Sequence, residues 1–137
     1  MKEFFNFIFG TLATTLVFIL GGWDIALQVL VIVVILDYIT GILKAIYNKK
    51  VSSEIGAKGI VKKICFFVLV AVSTLVDRIV GNTGAIRTTV IYFFVANEGI
   101  SILENCGSMG LPLPNILKST LEQLRNDNKN KKISKTR

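Results

Sequence analysis

Four long apolar stretches, separated by short polar connections, occupy the first 106 residues of the chain. They cover about residues 4–22, 25–47, 64–81 and 88–106, close to the roughly 20 apolar residues that a membrane-spanning helix needs. The first stretch, FFNFIFGTLATTLVFIL, is apolar on every side, whereas a helix of a soluble bundle shows a polar face. The pattern therefore predicts an all-α polytopic membrane protein with four transmembrane helices.

The connections divide this pattern into a membrane domain and a C-terminal part. We assign residues 1–112 to the membrane domain and residues 113–137 to the C-terminal part. Residues 48–63, NKKVSSEIGAKGIVKK, are predicted to form a basic loop between the second and third spans. Within this loop Ser53 is suited to cap a short amphipathic turn that leads into the third span.

The C-terminal part begins after two prolines that cannot occupy a helix interior. Downstream of them, Leu117, Leu121 and Leu124 fall on one stripe, which predicts a short amphipathic helix. Two alternatives for this stripe remain open: it rests on the membrane surface, or it pairs with another copy of the chain. The final segment, NKNKKISKTR at 128–137, is a basic tail that we expect to be disordered.

Charge indicates how the chain is oriented. The 137 residues carry a formal net charge of +7, and the positive charge falls in two blocks, Lys44–Lys63 and Lys118–Arg137. With four spans both blocks lie on the same side, and the excess of Lys and Arg in cytoplasmic segments places them, with both termini, in the cytoplasm. A nucleic-acid-binding protein would carry this charge along a folded polar surface, so we expect no nucleic-acid partner.

The composition argues against enzymatic chemistry. The chain has no His, the commonest general base and metal ligand. It has no Gly-rich phosphate loop and no metal-binding pattern. Cys65 and Cys106 lack the spacing of a zinc site or disulfide framework, and we expect both to be buried thiols. We predict that the protein is not an enzyme and uses no cofactor or metal.

Acidic residues inside the spans are the strongest functional signal. Asp37 and Glu98 lie about 18 and 15 Å into their helices, at 1.5 Å per residue. A charge at that depth costs about 2.5–3.5 kcal/mol on insertion scales. Each acid belongs to a polar stripe, and the candidate site residues are Asp37, Thr40, Lys44, Asn97, Glu98, Ser101 and Glu104. The stripes either hydrogen-bond to one another within the bundle or line water, and we weigh these alternatives equally.

Two smaller features have expected structural roles. Gly10 and Thr14 lie four residues apart on the first helix, a small-residue face suited to close packing. We expect that face to pack within the monomer, with self-association as the alternative. The adjacent Asp77 and Arg78 are expected to form a local ion pair.

Three segments together resemble the toxin-secretion and phage-lysis holins. The first runs from Gly22-Trp23-Asp24 into LDYITGILKAIYNKKVSSEIGAKGIVKK, residues 36–63. The second is the third apolar stretch with its terminal Val76-Asp77. The third is ANEGISILENCGSMGLPLPNIL, residues 96–117. The resemblance rests on the combination of these segments and covers roughly Gly22 to Leu117.

The resemblance implies a small protein of the bacterial inner membrane, encoded by a phage or prophage. Such proteins have no enzymatic activity or cofactor. Their partners are the lipid bilayer and further copies of the same chain. They self-associate and open a lesion that releases an endolysin or a toxin, without necessary direct contact with that cargo. A small non-lytic membrane adaptor or transporter subunit is the alternative.

Overall fold

The computed structural model describes residues 1–134, and side-chain environments up to residue 127. Its five helices are α1 (Lys2–Ile19), α2 (Ile25–Tyr47), α3 (Ser53–Val80), α4 (Ala85–Ser108) and α5 (Asn115–Ser134). The first four are long and apolar enough to cross a membrane, and no strand occurs within residues 1–134. The predicted all-α fold, with four candidate spans and a C-terminal helix, is confirmed.

Helix α4 is the centre of the bundle, because α2, α3 and α5 all pack against it. Leu27 and Leu30 of α2, Val70 of α3 and Ile91 of α4 are completely buried between these helices. The ring of Phe66 on α3 stacks on Phe94 of α4, with 4.4 Å between the ring centroids. Side chains therefore fill the space between α2, α3 and α4 in the half of the bundle that contains Leu27, Val70 and Ile91, as expected for closely packed helices.

Helix α1 stands largely apart from the other helices. It has no buried residue, and among the described elements it packs only against α3. A side chain added at Gly10 would meet no atom within 4 Å. The expectation that the Gly10–Thr14 face packs within the monomer is therefore wrong, since this face has no neighbour among the residues whose side chains the structure describes.

The predicted basic loop is shorter than expected. Helix α3 begins at Ser53, so residues 53–63 are helical and only residues 48–52 connect α2 to α3. Ser52, not Ser53, precedes the helix, and its side chain makes no capping hydrogen bond. Lys is a good helix former, and Lys58 pairs with Glu54 one turn earlier at 2.8 Å. Basic residues that flank a span thus extend the helix here.

Helix α5 doubles back along α4. The side chain of Leu113 lies against Gly107, and Leu121 lies against Gly99, where an added Cβ would be 3.0 Å from the Leu121 methyl carbons. Leu117 and Leu124 of the same predicted stripe are exposed. We expected this stripe to rest on the membrane surface or to pair with another copy, but Leu121 packs on α4 of its own chain. The turn through the prolines directs α5 back because a helix cannot continue through them.

The tail that we expected to be disordered contains the end of α5, which continues to Ser134. Residues 135–137 lie outside the described part of the chain. The cysteines also differ from expectation: Cys65 is exposed and Cys106 is partly exposed. Cys65 lies on an exposed face of α3, where a thiol serves as a small apolar side chain.

Candidate functional site

The polar residues of α2 and α4 meet at a single lysine of α3. The Lys63 Nζ donates a hydrogen bond to Asp37 Oδ2 at 2.6 Å and another to Glu98 Oε2. The three side chains are only 14%, 11% and 7% exposed, respectively. An ammonium group and two carboxylates from three different helices therefore form one buried ionic contact.

Two uncharged side chains complete this group. The Asn105 Nδ2 donates to Asp37 Oδ1 at 3.1 Å and lies 3.2 Å from Thr40 Oγ1. Both carboxylate oxygens of Asp37 consequently have a partner, which a buried carboxylate requires. We call Asp37, Thr40, Lys63, Glu98 and Asn105 the charged cluster. With both acids ionised and Lys63 protonated it has a formal charge of −1.

The structure brings together most of the residues that the sequence singled out. Asp37, Thr40 and Glu98 belong to the charged cluster. Three others, Asn97, Ser101 and Glu104, line an adjacent cavity of about 800 Å³. Lys44 does not line this cavity; it is partly exposed near the end of α2.

Sequence analysis missed Lys63 as a site residue and did not rank Asn105 among the candidates. Lys63 was counted with the basic segment that flanks the third span. The sequence did contain a signal for this lysine, because an acid inside a membrane needs a polar or cationic partner. Lys63 is the basic residue next to the apolar part of α3, and its long side chain can reach inward from that boundary.

A second polar group lies at the other end of the bundle, around the buried Arg87 of α4. Its guanidinium donates from Nη1 and Nη2 to the two carboxylate oxygens of Asp24, at 2.7 and 3.1 Å. It also donates from Nε to the Leu20 carbonyl at 2.6 Å and from Nη2 to the Gly22 carbonyl at 3.1 Å. We call this arrangement the Arg87 clamp, since it ties the α1–α2 turn to the start of α4.

The α1–α2 turn needs glycine for the Arg87 clamp to form. Gly21 has φ +87°, and an added Cβ would clash with the Arg87 side chain. Asp24 follows the turn and caps α2 by accepting a hydrogen bond from the Leu27 amide at 3.0 Å. The pKa of the Asp24 carboxyl lies below its ordinary value, chiefly because Arg87 donates a hydrogen bond to it. Burial has a smaller effect and raises this pKa.

The expected ion pair between Asp77 and Arg78 does not form. Asp77 instead accepts hydrogen bonds from the Ile86 and Arg87 amides, at 3.2 and 2.7 Å, which satisfies free donors at the start of α4. Arg78 donates to the Phe18 carbonyl at 2.7 Å, and its guanidinium lies over the Phe18 ring, 4.1 Å from the centroid. Adjacent helical residues point in different directions, so each finds a separate partner.

Comparison with known proteins identifies the family. A family model described as the bacteriophage holin family matches residues 14–126. This range contains α2, α3 and α4 with the charged cluster and the Arg87 clamp. It leaves out the first two-thirds of α1, the helix without buried residues. No solved structure matches the chain.

Several curated proteins are similar over most of their length. An uncharacterized 14.9 kDa protein in the nagH 3' region of Clostridium perfringens is 42% identical over 130 residues, 92% of this chain and 98% of that protein. An uncharacterized protein of Listeria monocytogenes is 42% identical over 104 residues, 76% of this chain and 74% of its own. A protein of Bacillus phage phi105 named probable holin is 32% identical over 105 residues, 77% of this chain and 78% of its own. The chain belongs to the bacteriophage holin family.

Proposed function

We propose that this protein is a holin that assembles in the bacterial inner membrane and opens a lesion through which an endolysin or a toxin leaves the cytoplasm. The observation that carries the proposal is the family match across residues 14–126. The relative named probable holin supports it. In this role the protein is a membrane component without enzymatic activity, and its partners are the bilayer and other copies of itself.

The packing of the bundle supports the requirement for several copies. Completely buried side chains close the space between α2, α3 and α4 around Leu27, Leu30 and Ile91, and helices of a bundle pack only about 8–10 Å apart. A protein-sized opening inside one copy would require separation of these helices. An opening between many copies requires only that each copy presents one polar face to water and one apolar face to lipid.

The residues proposed for the water-facing side are those of the polar stripes on α2 and α4. In the single chain Asp37 and Glu98 are paired with Lys63, so their charge is tolerated away from water. On assembly, we propose that hydration takes over part of this role and that the stripes face a shared lumen. The proposed set is Asp37, Thr40, Lys44, Asn97, Glu98, Ser101 and Glu104.

We further propose that both termini are cytoplasmic. The end of α2, the start of α3 and the end of α4 lie at one end of the bundle, and both basic segments are attached there. Segments rich in Lys and Arg favour the cytoplasmic side. A periplasmic phosphatase fused after Arg137 should therefore stay inactive, whereas an active fusion would reverse the assignment of residues 113–137 to the cytoplasm.

The test of the holin role is co-expression with a cytoplasmic endolysin in a bacterium that lacks both proteins. We expect membrane potential to collapse abruptly after a delay, followed by loss of culture turbidity, while endolysin alone leaves the cells intact. Normal growth and potential, at a confirmed level of the protein in the membrane, would instead favour a non-lytic adaptor or transporter subunit.

A further inference from the structure

Helix α5 extends from the end of α4 to its middle. Leu113 contacts Gly107, and Leu121, eight residues later in the chain, contacts Gly99, eight residues before Gly107. The two helices therefore run antiparallel, and α5 follows α4 back along the bundle. Gly99 lies nine residues before Ser108, the last residue of α4, which is about 14 Å at 1.5 Å per residue. This depth is close to half of the roughly 30 Å hydrocarbon core of a bilayer.

The face of α5 that points away from α4 is mainly polar at this depth. Between residues 121 and 127 the exposed side chains are the polar Gln123, Asn126 and Asp127 and the apolar Leu124. Polar and charged side chains inside a membrane are costly where they meet lipid, and they usually face the protein interior or a water-filled cavity. The outer face of α5, docked on α4, therefore requires water beside it.

The exterior over α2 and α3 is apolar instead. These helices cover other sides of α4, and α5 packs against α4 alone among the described elements. Exposed side chains in the middle of α2 and α3 are apolar, as at Ile32, Ile35, Val68 and Val72. One copy of the chain thus has an apolar exterior over α2 and α3 and a polar exterior over α5. A protein that separates lipid from water needs this division.

The polar exterior of α5 adjoins the polar stripe of α4. The cavity beside the charged cluster is lined by Asn97, Ser101 and Glu104 of α4, and Arg125 of α5 lines the same cavity. Arg125 directly precedes the exposed Asn126. The polar surfaces of the two helices are therefore neighbours, and water that reaches one also reaches the other.

We propose that α5, docked along α4, forms part of the wall of the lesion and turns Gln123, Asn126 and Asp127 toward its water-filled lumen. This assignment rests on the proposed holin role and adds a third helix to the polar stripes of α2 and α4. Helix α5 enters the lumen from the cytoplasmic end of α4, so it reaches the water without crossing lipid. The apolar exteriors of α2 and α3 face the bilayer.

A disulfide between α4 and α5 tests whether the open lesion keeps α5 docked. The full chain carries Gly99→Cys and Leu121→Cys at two positions in contact, with Cys65→Ser and Cys106→Ser to remove the other thiols. It is reconstituted in vesicles of phosphatidylglycerol and phosphatidylethanolamine that contain a trapped dye. We expect the oxidised protein to release dye as fast as the reduced protein. Tyr92→Cys with Leu121→Cys is the control pair. It should form no disulfide, since residue 92 lies about 10 Å from residue 99 along α4.

Single-cysteine variants test whether the outer face of α5 meets water. Asn126→Cys and Ile35→Cys each place a thiol at an exposed position, on α5 and on α2 respectively. Ile35 is the control because it lies at a comparable depth, twelve residues before Tyr47 at the end of α2. In vesicles that have released their dye, a charged maleimide should react at least about tenfold faster with Asn126→Cys, because apolar surroundings disfavour the reactive thiolate.

Two outcomes would overturn the proposal and leave the holin role intact. One is dye release by the parent but not by the oxidised double-cysteine variant, with release restored by a reductant. The other is equally slow reaction of Asn126→Cys and Ile35→Cys, which would place the outer face of α5 away from water. If the double-cysteine variant is inactive even when reduced, Gly107→Cys with Leu113→Cys provides the disulfide at the other contact. A parent protein that releases no dye would reject the holin role and this proposal together.

Discussion

Lys63 and Asp37, 26 residues apart in the sequence, form an ion pair of 2.6 Å that joins α3 to α2. Because Lys63 also contacts Glu98 of α4, one side chain links three helices. Burying an ion pair adds little net stability, whereas removing one partner leaves a buried charge uncompensated. The charged cluster is thus sensitive to single substitutions and tolerant of complete replacement, and this asymmetry can be measured.

Replacing Lys63 alone should destabilise the bundle. We expect Lys63→Met to lower the free energy of unfolding by about 3–5 kcal/mol, because Asp37 and Glu98 would remain buried without a cation. The measurement is denaturant unfolding in detergent micelles, followed by helical circular dichroism. Lys58→Met is the control. It should change the free energy of unfolding by about 1 kcal/mol or less, since the ion pair of Lys58 is exposed. Equal stability of the parent and Lys63→Met would contradict the assignment of Lys63 as the central partner.

Replacing the whole ionic contact should separate folding from function. The triple variant Asp37→Leu, Lys63→Leu, Glu98→Leu should insert and fold with stability equal to the parent or up to about 4 kcal/mol higher, as found for buried ion clusters replaced by apolar residues. We expect it to fail to permeabilise cells, because α2 and α4 lose polar groups for a shared lumen. Dye entry and crosslinked oligomer size should be measured on the same membranes. Dye entry at the parent's rate would place the lumen elsewhere.

Enlarging Gly99 should release α5 from α4. In Gly99→Leu the new side chain occupies the position of Leu121, whose methyl carbons would be 3.0 Å from the added Cβ. Overpacking of this kind costs about 1–3 kcal/mol. Trypsin cleavage after Arg125 should therefore accelerate about tenfold, which corresponds to about 1.4 kcal/mol. Gly59→Leu is the control, since an added Cβ there meets nothing within 4 Å. Unchanged cleavage in Gly99→Leu would show that Leu121 does not hold α5 in place.

The Arg87 clamp should weaken in acid. Arg87 holds the pKa of Asp24 below its ordinary value of 3.8, so ionised Asp24 stabilises the folded state. This contribution is fully present above the unfolded value and is lost as the pH falls through the lowered folded value. The stability difference between the parent and Asp24→Asn should stay constant from about pH 7 to 5 and shrink only below about pH 4. Thermal unfolding of both proteins across this pH range measures the stability difference. If this difference already shrinks near pH 7, Asp24 is excluded as the titrating group.

The sequence was sufficient to predict the helices but not all their ends. Long apolar stretches located α1 to α4, and the predicted limits of α2, 25–47, agree with the helix Ile25–Tyr47. The start of α3 was missed because the boundary of an apolar stretch marks where a membrane ends, not where a helix ends. Backbone hydrogen bonds continue through Ser53 to Lys63 whether lipid or water surrounds them.

The pairing of charged residues was harder to predict than their presence. Asp37 and Glu98 were identified from their depth, since an acid inside a span is costly wherever it points. Their partner depends on how α3 is rotated and displaced against α2 and α4, which helical periodicity along one segment does not specify. The same reason explains Asp77 and Arg78, whose partners come from the start of α4 and the end of α1.

The Arg87 clamp has a consequence for the order of events during synthesis. Its acceptors on Leu20, Gly22 and Asp24 precede Arg87 by 67, 65 and 63 residues. A chain grows from its N-terminus at about 5–20 residues per second, so the α1–α2 turn is synthesised several seconds before its guanidinium partner. Since α1 packs only against α3 among the described elements, glycine and the Asp24 cap alone shape the turn during this interval, and Arg87 of α4 then ties the turn to the bundle.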